Sequence, residues 1–323
     1  VMCVAVCFYI GSLKIYNLHF KSSILILLLS YLATLIPFII AGYSITVIFS
    51  RVSNREFSQV YFADLLGAGI GVLLFFPSIT WLGVYRSLEL LAIVVVVFIW
   101  AIAIRRRIVI FLCGIIVLSG LMCFNEEQLH IPVEPKKELG IALKAIPNKF
   151  RISFSQWYPL GKVQTIEPLD EASGMRFAYE VGLATFMFPL NPFPAYHYFV
   201  NNGGAGTPAY HLSQEGIKHY DSRLQIFSTP MEFPYLLIDQ PNVFIIGTGG
   251  GRDIYTALVH RADQVTGAEI NPLIYGLMTK GALAEYTDYV YTKPRVNIFN
   301  IDGRTLTKRL LRTPSRYDLI MLN

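Results

Sequence analysis

Charged residues are scarce in this 323-residue chain, and their distribution is uneven. Only 15% of the residues are charged and 54% are hydrophobic, whereas about a quarter of the residues in an ordinary soluble domain carry a charge. The formal net charge of +5 lies entirely within the first 124 residues, which are also the most apolar part of the sequence. Basic residues beside long apolar segments are typical of membrane-flanking loops. We therefore expect a membrane as a partner and no nucleic acid.

Cysteine and histidine are also too few and too scattered for a metal centre. The four cysteines all lie in apolar segments: Cys3, Cys7, Cys113 and Cys123. In such segments a cysteine usually acts as a small hydrophobic side chain. The six histidines are dispersed, and no CxxC or HxxxH pair is present, although zinc ligands commonly use such short spacings. The sequence therefore predicts no metal ion.

Long uncharged runs are abundant in the first part of the sequence. A membrane-spanning helix needs about 20 apolar residues. We predict four full spans and a partial one, at residues 23–50, 62–85, 88–104 and 109–124 and, for the partial span, 1–13. Lysine and arginine are balanced between the two sides of these spans, so the positive-inside rule does not choose an orientation.

The rest of the sequence is predicted to contain three parts. Residues 125–150 are mixed in charge and contain three prolines, so we assign them to a linker. Residues 151–238 hold short strand-like pieces such as FAYEVGLATFMF, which indicate a small β unit and a connector. Residues 239–323 alternate apolar strand-like runs with helical patterns, which predicts an α/β Rossmann-like domain. We interpret the sequence as a piece of a longer protein that stops in the fourth strand of this domain, after a transmembrane region at 1–124.

A glycine-rich turn gives the strongest functional signal. The apolar run VFII at 243–246 is followed by the turn itself, which consists of Gly247, Thr248, Gly249, Gly250 and Gly251. Glycine accepts positive φ and lets a ligand approach the backbone closely. A helix is predicted directly after the turn. This order of strand, glycine turn and helix is typical of a nucleotide site.

Acidic residues end the next two predicted strands. Glu269, followed by Ile270, ends the second strand, where a carboxylate can accept hydrogen bonds from both hydroxyls of a ribose. Asp302 and Gly303 follow the third strand, where the acid could accept from an adenine amino group. Arg252 occupies the place of the last glycine of the dinucleotide fingerprint, which argues against NAD and FAD. The set suits an adenosine without phosphates, as in S-adenosylmethionine.

The order of these motifs resembles the membrane-anchored spermidine-synthase-like proteins, which are relatives of the polyamine aminopropyltransferases with a class I methyltransferase-like fold. The resemblance covers nearly the whole chain and is carried by the segments YFADLLGAGIGVLL, WYPLGKV, VFIIGTGGGRD, VTGAEINP, RVNIFNIDGR and YDLIMLN. It implies that the turn glycines cradle the adenosyl group of decarboxylated S-adenosylmethionine. It also implies that Glu269 binds the ribose, and that Asp302 and Gly303 contact the adenine.

The reacting side of the implied site departs from the family pattern at three positions. The family has an Asp in the glycine turn, a Gln in the β unit and an Asp after the fourth strand, where this chain has Gly250, Gly161 and Asn323. An asparagine cannot take a proton or pair with a cationic amine as a carboxylate does. Asp253 could supply a displaced carboxylate, although an acid at a helix start also has a structural explanation.

Three functions are compatible with these features. The first is a membrane-anchored transferase that binds S-adenosylmethionine or its decarboxylated form and transfers an aminopropyl group to an amine. The second is a methyltransferase of a small or lipid acceptor, and the third is a transporter or sensor with a non-catalytic nucleoside-binding domain. We expect a small-molecule amine or other acceptor as a partner and allow for an oligomer. The soluble part is expected in the cytoplasm, because adenosylated cofactors and amine substrates are cytosolic.

Overall fold

The computed structural model describes residues 20–53, 55–102, 135–181, 195–211 and 230–323. The chain divides into two compact units, Val1–Glu134 and Pro135–Asn323. The predicted spans at 1–13 and 109–124 lie outside the described residues. Among the described residues, the first unit contains long helices, whereas the second contains two small sheets.

The first unit contains two long helices among its described residues. Helix α1 is Phe20–Arg51 and helix α2 is Phe57–Ile102. Most of their described side chains are exposed, including Leu73 and Trp81. Within the described residues, one segment, Phe57–Val84, is long and apolar enough to cross a membrane by length and composition. Its 28 residues extend about 42 Å at the α-helical rise. The further spans remain predictions.

A break at Gly83 divides helix α2. This glycine has φ 76° and ψ 173°, which are not helical values, so α2 consists of two helical pieces. A residue without a Cβ adopts this conformation far more easily than any other. The break lies at the end of the predicted span 62–85 and before the predicted span 88–104. The two apolar runs therefore belong to separate helical pieces, as their separation by Arg86 suggests.

A four-stranded antiparallel sheet opens the second unit. Its elements are helix α3 Glu138–Ala145, strand β1 Phe150–Tyr158, strand β2 Gly161–Pro168, helix α4 Glu171–Glu180, strand β3 Tyr196–Asn201 and strand β4 Gly204–Tyr210. The strands follow the order β1-β2-β3-β4. Asn202 and Gly203 have φ of 52° and 77°, the positive values that a two-residue hairpin turn requires. The asparagine–glycine turn signal thus produces the β3–β4 hairpin.

Two segments differ from the sequence-based assignment. Helix α3 lies inside the predicted linker 125–150, and it buries Leu139, Ala142 and Ala145. The prolines at 135 and 147 flank this helix and do not interrupt it. The FAYE part of the strand-like piece FAYEVGLATFMF belongs to helix α4, whose start is capped by the Asp170 side chain, which accepts a hydrogen bond from Ser173 N–H at 2.7 Å. The remainder of that piece lies outside the described residues.

A parallel sheet forms the end of the second unit. After a 3₁₀ helix at Pro230–Leu236, the chain runs through strand β5 Asn242–Ile246, helix α5 Arg252–Val259, strand β6 Gln264–Glu269, helix α6 Pro272–Thr279, helix α7 Ala282–Tyr286, a 3₁₀ turn at Val290–Thr292, strand β7 Val296–Asn300, helix α8 Gly303–Leu310 and strand β8 Leu319–Leu322. The four strands are parallel in the order β7-β6-β5-β8. This order confirms the Rossmann-like prediction.

The strand order also fixes where a ligand can bind. Strand β5 is central, and the chain leaves it towards β6 on one side and reaches β8 on the other. In open α/β sheets, ligands bind outside the carboxyl ends of the strands where the order reverses. Val243, Ile245 and Val265 are fully buried in this sheet, so the strands provide a rigid base. The candidate site is therefore the edge formed by the carboxyl ends of β5, β6, β7 and β8.

Candidate functional site

The predicted glycine turn lies directly after strand β5. Gly247, Gly249 and Gly251 have φ of +86°, +51° and +83°, values that favour glycine over any residue with a side chain. The turn is held to the neighbouring strand, because Gly247 N–H donates to the Ala268 carbonyl at 2.9 Å. Gly251 is the last residue before helix α5. The sequence thus forms a tight backbone cradle at the carboxyl end of β5.

Glu269 joins this turn to strand β6. Its Oε2 atom accepts from Gly249 N–H and its Oε1 atom accepts from Asn271 N–H, both at 2.8 Å. The residue is only 5% exposed, and burial raises the pKa of its carboxyl group, although the two backbone N–H groups act in the opposite direction. A carboxylate has about four acceptor positions. Glu269 therefore shapes the turn and retains acceptor capacity for ligand hydroxyls.

Thr248 is tied to a residue that the sequence analysis did not identify. The Tyr291 hydroxyl donates to the Gly249 carbonyl at 2.7 Å and lies 2.6 Å from the Thr248 hydroxyl. A phenol has a single proton, so Thr248 is the donor when Tyr291 donates to Gly249. Both side chains are buried, and burial raises the pKa of Tyr291. Thr248 therefore supports the turn from within the protein.

Asp302 and Gly303 lie at the end of strand β7, beside Glu269 in the sheet order. Asp302 Oδ1 accepts from Thr305 N–H at 3.1 Å, which caps helix α8. A Cβ on Gly303 would lie 2.5 Å from Ile246 Cγ2, so a glycine is required for close packing of α8 against the end of β5. Asp302 has a structural role in this arrangement, and the adenine contact stays a prediction.

The ends of β6 and β7 are linked by a further side chain. Asn300 Nδ2 donates to the Glu269 carbonyl oxygen at 2.8 Å, and Asn300 is the last residue of β7. Ile270 follows Glu269 and is 55% exposed, so an apolar side chain lies at the surface beside the acidic strand end. Sequence reasoning identified Ile270 and missed Asn300, because an asparagine after an apolar strand is a weak signal.

Asn323 and Asp253 are brought together at the end of strand β8. The Asn323 amide nitrogen donates to the Asp253 carboxylate and also to the Gly247 carbonyl, the second at 3.2 Å. Asp253 is only 8% exposed. Burial raises the pKa of Asp253, while the charge of Arg252 and the hydrogen bond from Asn323 oppose this increase. The only two catalytic candidates of the sequence analysis are therefore one hydrogen-bonded pair beside the glycine turn.

Strand β4 covers the other side of the glycine turn. Gly250 N–H donates to the Thr207 hydroxyl at 3.3 Å. A Cβ on Gly250 would lie 2.8 Å from Ala209 N and closer still to the Pro208 carbonyl oxygen. A Cβ on Gly249 would lie 2.9 Å from the Thr207 side chain. The small sheet thus contacts the turn directly, and position 250 has no room for an aspartate side chain.

The polar groups at this edge of the sheet fit a nucleoside better than a phosphate. Glu269 and Asp302 are acceptors for hydroxyl and amino groups, and both would repel a phosphate. The glycine turn supplies backbone at close approach, and a larger residue at Gly251 would meet Val290 Cγ1 at 2.6 Å. Among the residues that the structure describes, no group of three His, Cys, Asp or Glu side chains could hold a metal ion. The site is suited to an adenosyl group.

Comparison with known proteins finds similar folds alone. No family model matches the chain, and no curated protein matches it. One similar solved structure is spermidine synthase in complex with the transition state analogue AdoDATO, with 16% identity, coverage of 54% of this chain and 47% of that chain, and a TM-score of 0.34. Another is spermidine synthase from Thermotoga maritima, with 14% identity, coverage of 54% and 46%, and a TM-score of 0.33.

The chain spans about half the length of these two structures. At this identity and score, the similarity carries no argument about individual residues. Spermidine synthases are among the solved structures that the chain resembles, and the strand order of the parallel sheet gives the Rossmann-like fold independently. Any functional conclusion therefore depends on the geometry of the strand ends.

Proposed function

We propose that this protein is a membrane-anchored transferase that binds S-adenosylmethionine or its decarboxylated form and transfers a carbon group from it to a nucleophile. The observation that carries the proposal is the contact between Glu269 and Gly249 N–H at 2.8 Å. It joins the glycine turn of β5 to the acid of β6, where a ribose would meet both. Asp302, after the next strand, extends the acceptor set in the direction of the base.

The reaction needs little chemistry from the protein. A lone pair of the nucleophile forms a bond to a carbon on the sulfonium, the carbon–sulfur bond breaks, and a neutral thioether leaves with the bonding electrons. The nucleophile then loses its proton to a base or to water. Correct positioning of the two reactants supplies much of the rate enhancement in such a transfer. The fixed strand ends of the parallel sheet are suited to this task.

Two reactions share this donor class. Aminopropyl transfer to an amine is implied by the resemblance to the spermidine-synthase-like proteins. This reaction would consume the decarboxylated donor and release 5′-methylthioadenosine. Methyl transfer is favoured by the contact of Gly250 with strand β4 and by Asn323, because neither position offers a carboxylate for a cationic amine. Methyl transfer would release S-adenosylhomocysteine.

The test uses the full chain in detergent. Each donor is incubated with the protein and 1,4-diaminobutane, and with the protein and a detergent-solubilised lipid extract, and the nucleoside product is identified by mass spectrometry. 5′-Methylthioadenosine formed from the decarboxylated donor supports aminopropyl transfer, and S-adenosylhomocysteine supports methyl transfer. A protein that neither binds nor converts either donor overturns the proposal. The variant Glu269→Gln is the control for background breakdown.

Membrane anchoring is supported by helix α2. Its segment Phe57–Val84 is apolar, long enough to cross a bilayer and 0% buried within the protein. Exposed side chains such as Leu73 at 75% and Trp81 at 82% would be costly in water and favourable in lipid. We expect the full chain to stay in the membrane pellet after alkaline carbonate extraction. Release into the supernatant would contradict the anchor.

A further inference from the structure

The amino-acid end of the donor decides which sulfonium compound the site accepts. S-Adenosylmethionine carries an ammonium and a carboxylate on its terminal carbon, whereas the decarboxylated form carries the ammonium alone. A protein group that pairs with the carboxylate would favour the first compound. A lone carboxylate on the protein would favour the second. The charged residues next to the glycine turn therefore determine this selectivity.

The glycine turn itself offers no charge. The atoms that would surround a side chain at Gly250 are backbone atoms of Pro208 and Ala209. Backbone in a paired strand cannot move aside as the end of a flexible side chain can, and β4 is paired with β3 from Tyr196 to Asn201. A carboxylate at this position is sterically excluded. The charge that recognises the donor must come from outside the turn.

The next two residues supply one charge of each sign. Asp253 lies against Asn323, which also contacts the Gly247 carbonyl, so the carboxylate is two hydrogen bonds from the turn. Arg252 is half-buried and lies near enough to Asp253 to lower the pKa of its carboxyl group. Within the described part of the chain, Arg252 forms no ion pair within 4 Å.

A buried hydroxyl on strand β4 is affected by both charges. Tyr210 is fully buried on β4, and burial raises the pKa of its hydroxyl to about 12. The positive charge of Arg252 lowers that pKa and the negative charge of Asp253 raises it. Both charges therefore act on the same buried hydroxyl of β4.

We infer that Arg252 and Asp253 together bind the amino-acid end of the donor. Arg252 pairs with the carboxylate of the donor and Asp253 pairs with its ammonium group, so the donor is S-adenosylmethionine with its carboxylate intact. This inference depends on the proposed nucleoside site. An α-amino acid needs one partner of each sign, and the sequence places them on adjacent residues after the turn. A guanidinium pairs with a carboxylate through two parallel hydrogen bonds. The decarboxylated donor would leave Arg252 beside an ammonium group.

The experiment is calorimetric titration of the full chain in detergent with three compounds. They are S-adenosylmethionine, its decarboxylated form, and 5′-methylthioadenosine, which has the nucleoside without the amino-acid end. We expect the wild-type chain to bind S-adenosylmethionine at least about tenfold more tightly than the decarboxylated form. In Arg252→Gln we expect this ratio to fall to about one, with the affinity for 5′-methylthioadenosine unchanged. Arg309→Gln, at an exposed arginine of helix α8, is the matched control and should keep the wild-type ratio.

Each result has a distinct meaning. If 5′-methylthioadenosine binds but the decarboxylated donor binds as tightly as S-adenosylmethionine, the inference is overturned and the nucleoside site stands. If the preference persists in Arg252→Gln, Arg252 is not the carboxylate partner and the inference is likewise overturned. If none of the three compounds binds the wild-type chain, the nucleoside site and the inference fall together. Asp253→Asn separates the two charges, because it should weaken both sulfonium donors and leave the preference for the carboxylate intact.

Discussion

Replacement of Gly250 by alanine tests whether strand β4 truly covers the glycine turn. The added Cβ would lie 2.8 Å from Ala209 N and closer to the Pro208 carbonyl oxygen, whereas an ordinary contact between such atoms is about 3.5 Å. The overlap exceeds half an ångström and involves backbone on both sides. Overpacking of this kind costs about 1–3 kcal/mol, and more where the surroundings cannot relax. We expect Gly250→Ala to be at the upper end, about 3 kcal/mol less stable.

Gly276 offers a matched control on helix α6. No atom lies within 4 Å of a Cβ placed on Gly276, and the residue is exposed within a regular helix. Alanine is favoured over glycine in a helix interior by about 0.5–1 kcal/mol, so Gly276→Ala should be slightly more stable than the wild type.

Thermal unfolding of the full chain in detergent, followed by tyrosine and tryptophan fluorescence, compares the two variants. A lower midpoint for Gly250→Ala, together with an equal or higher midpoint for Gly276→Ala, is the expected pattern. Gly250→Ala should also bind 5′-methylthioadenosine more weakly, because the turn must shift to make room. If both variants unfold at the wild-type temperature, β4 does not rest on the turn, and the steric exclusion of a carboxylate at position 250 is refuted.

Three further predictions concern the charged residues at the strand ends. Glu269→Gln should weaken 5′-methylthioadenosine binding about tenfold or more in calorimetry, because the amide NH₂ group would face a backbone N–H, while exposed Glu285→Gln should not. Burial raises the pKa of Asp253 and Glu269, so their stabilising contribution is complete below about pH 4 and is lost as pH rises through the raised values. Asp253→Asn should therefore lose less of its unfolding midpoint than the wild type as pH rises. Equal pH profiles of the midpoint in the variant and the wild type would contradict this. Asn323→Asp should lower the midpoint by placing two carboxylates in contact, and addition of Asp253→Asn should restore it; an unrestored double variant would show that the two residues are not coupled.

The parallel sheet could be predicted because each of its strands has a recognisable local sequence pattern. The apolar run before the glycines became strand β5, and the run before Glu269 became β6. Buried parallel strands are continuous apolar segments, and glycines or acids at their ends mark the boundary. Helix α4 was harder, since its aromatic residues suit a strand as well as a helix. The helix is capped by Asp170 through one side-chain hydrogen bond, a local feature that the aromatic pattern does not reveal.

The contacts that complete the site could not be predicted from sequence, because they join distant parts of the chain. Thr207 is 43 residues from Gly250, and Tyr291 is 42 residues from Gly249. Neither residue stands in a recognisable motif. Residue type and order identified the glycine turn and Glu269, since those features depend on one strand–turn–helix unit. The cover over the turn depends on how the small sheet packs against it, which local pattern does not encode.

The departures from the family pattern become mutually consistent once these contacts are known. Asp253 lies beside residue 323, so an aspartate at 323 would put two carboxylates in contact, and one of them would have to bind a proton. An asparagine there removes the repulsion and donates to both Asp253 and the Gly247 carbonyl. In the same way, the close approach of β4 leaves space only for a glycine at 250. Relative to the pattern that the sequence resembles, positions 250 and 323 carry no acid, and the charges of Arg252 and Asp253 lie instead at the start of helix α5.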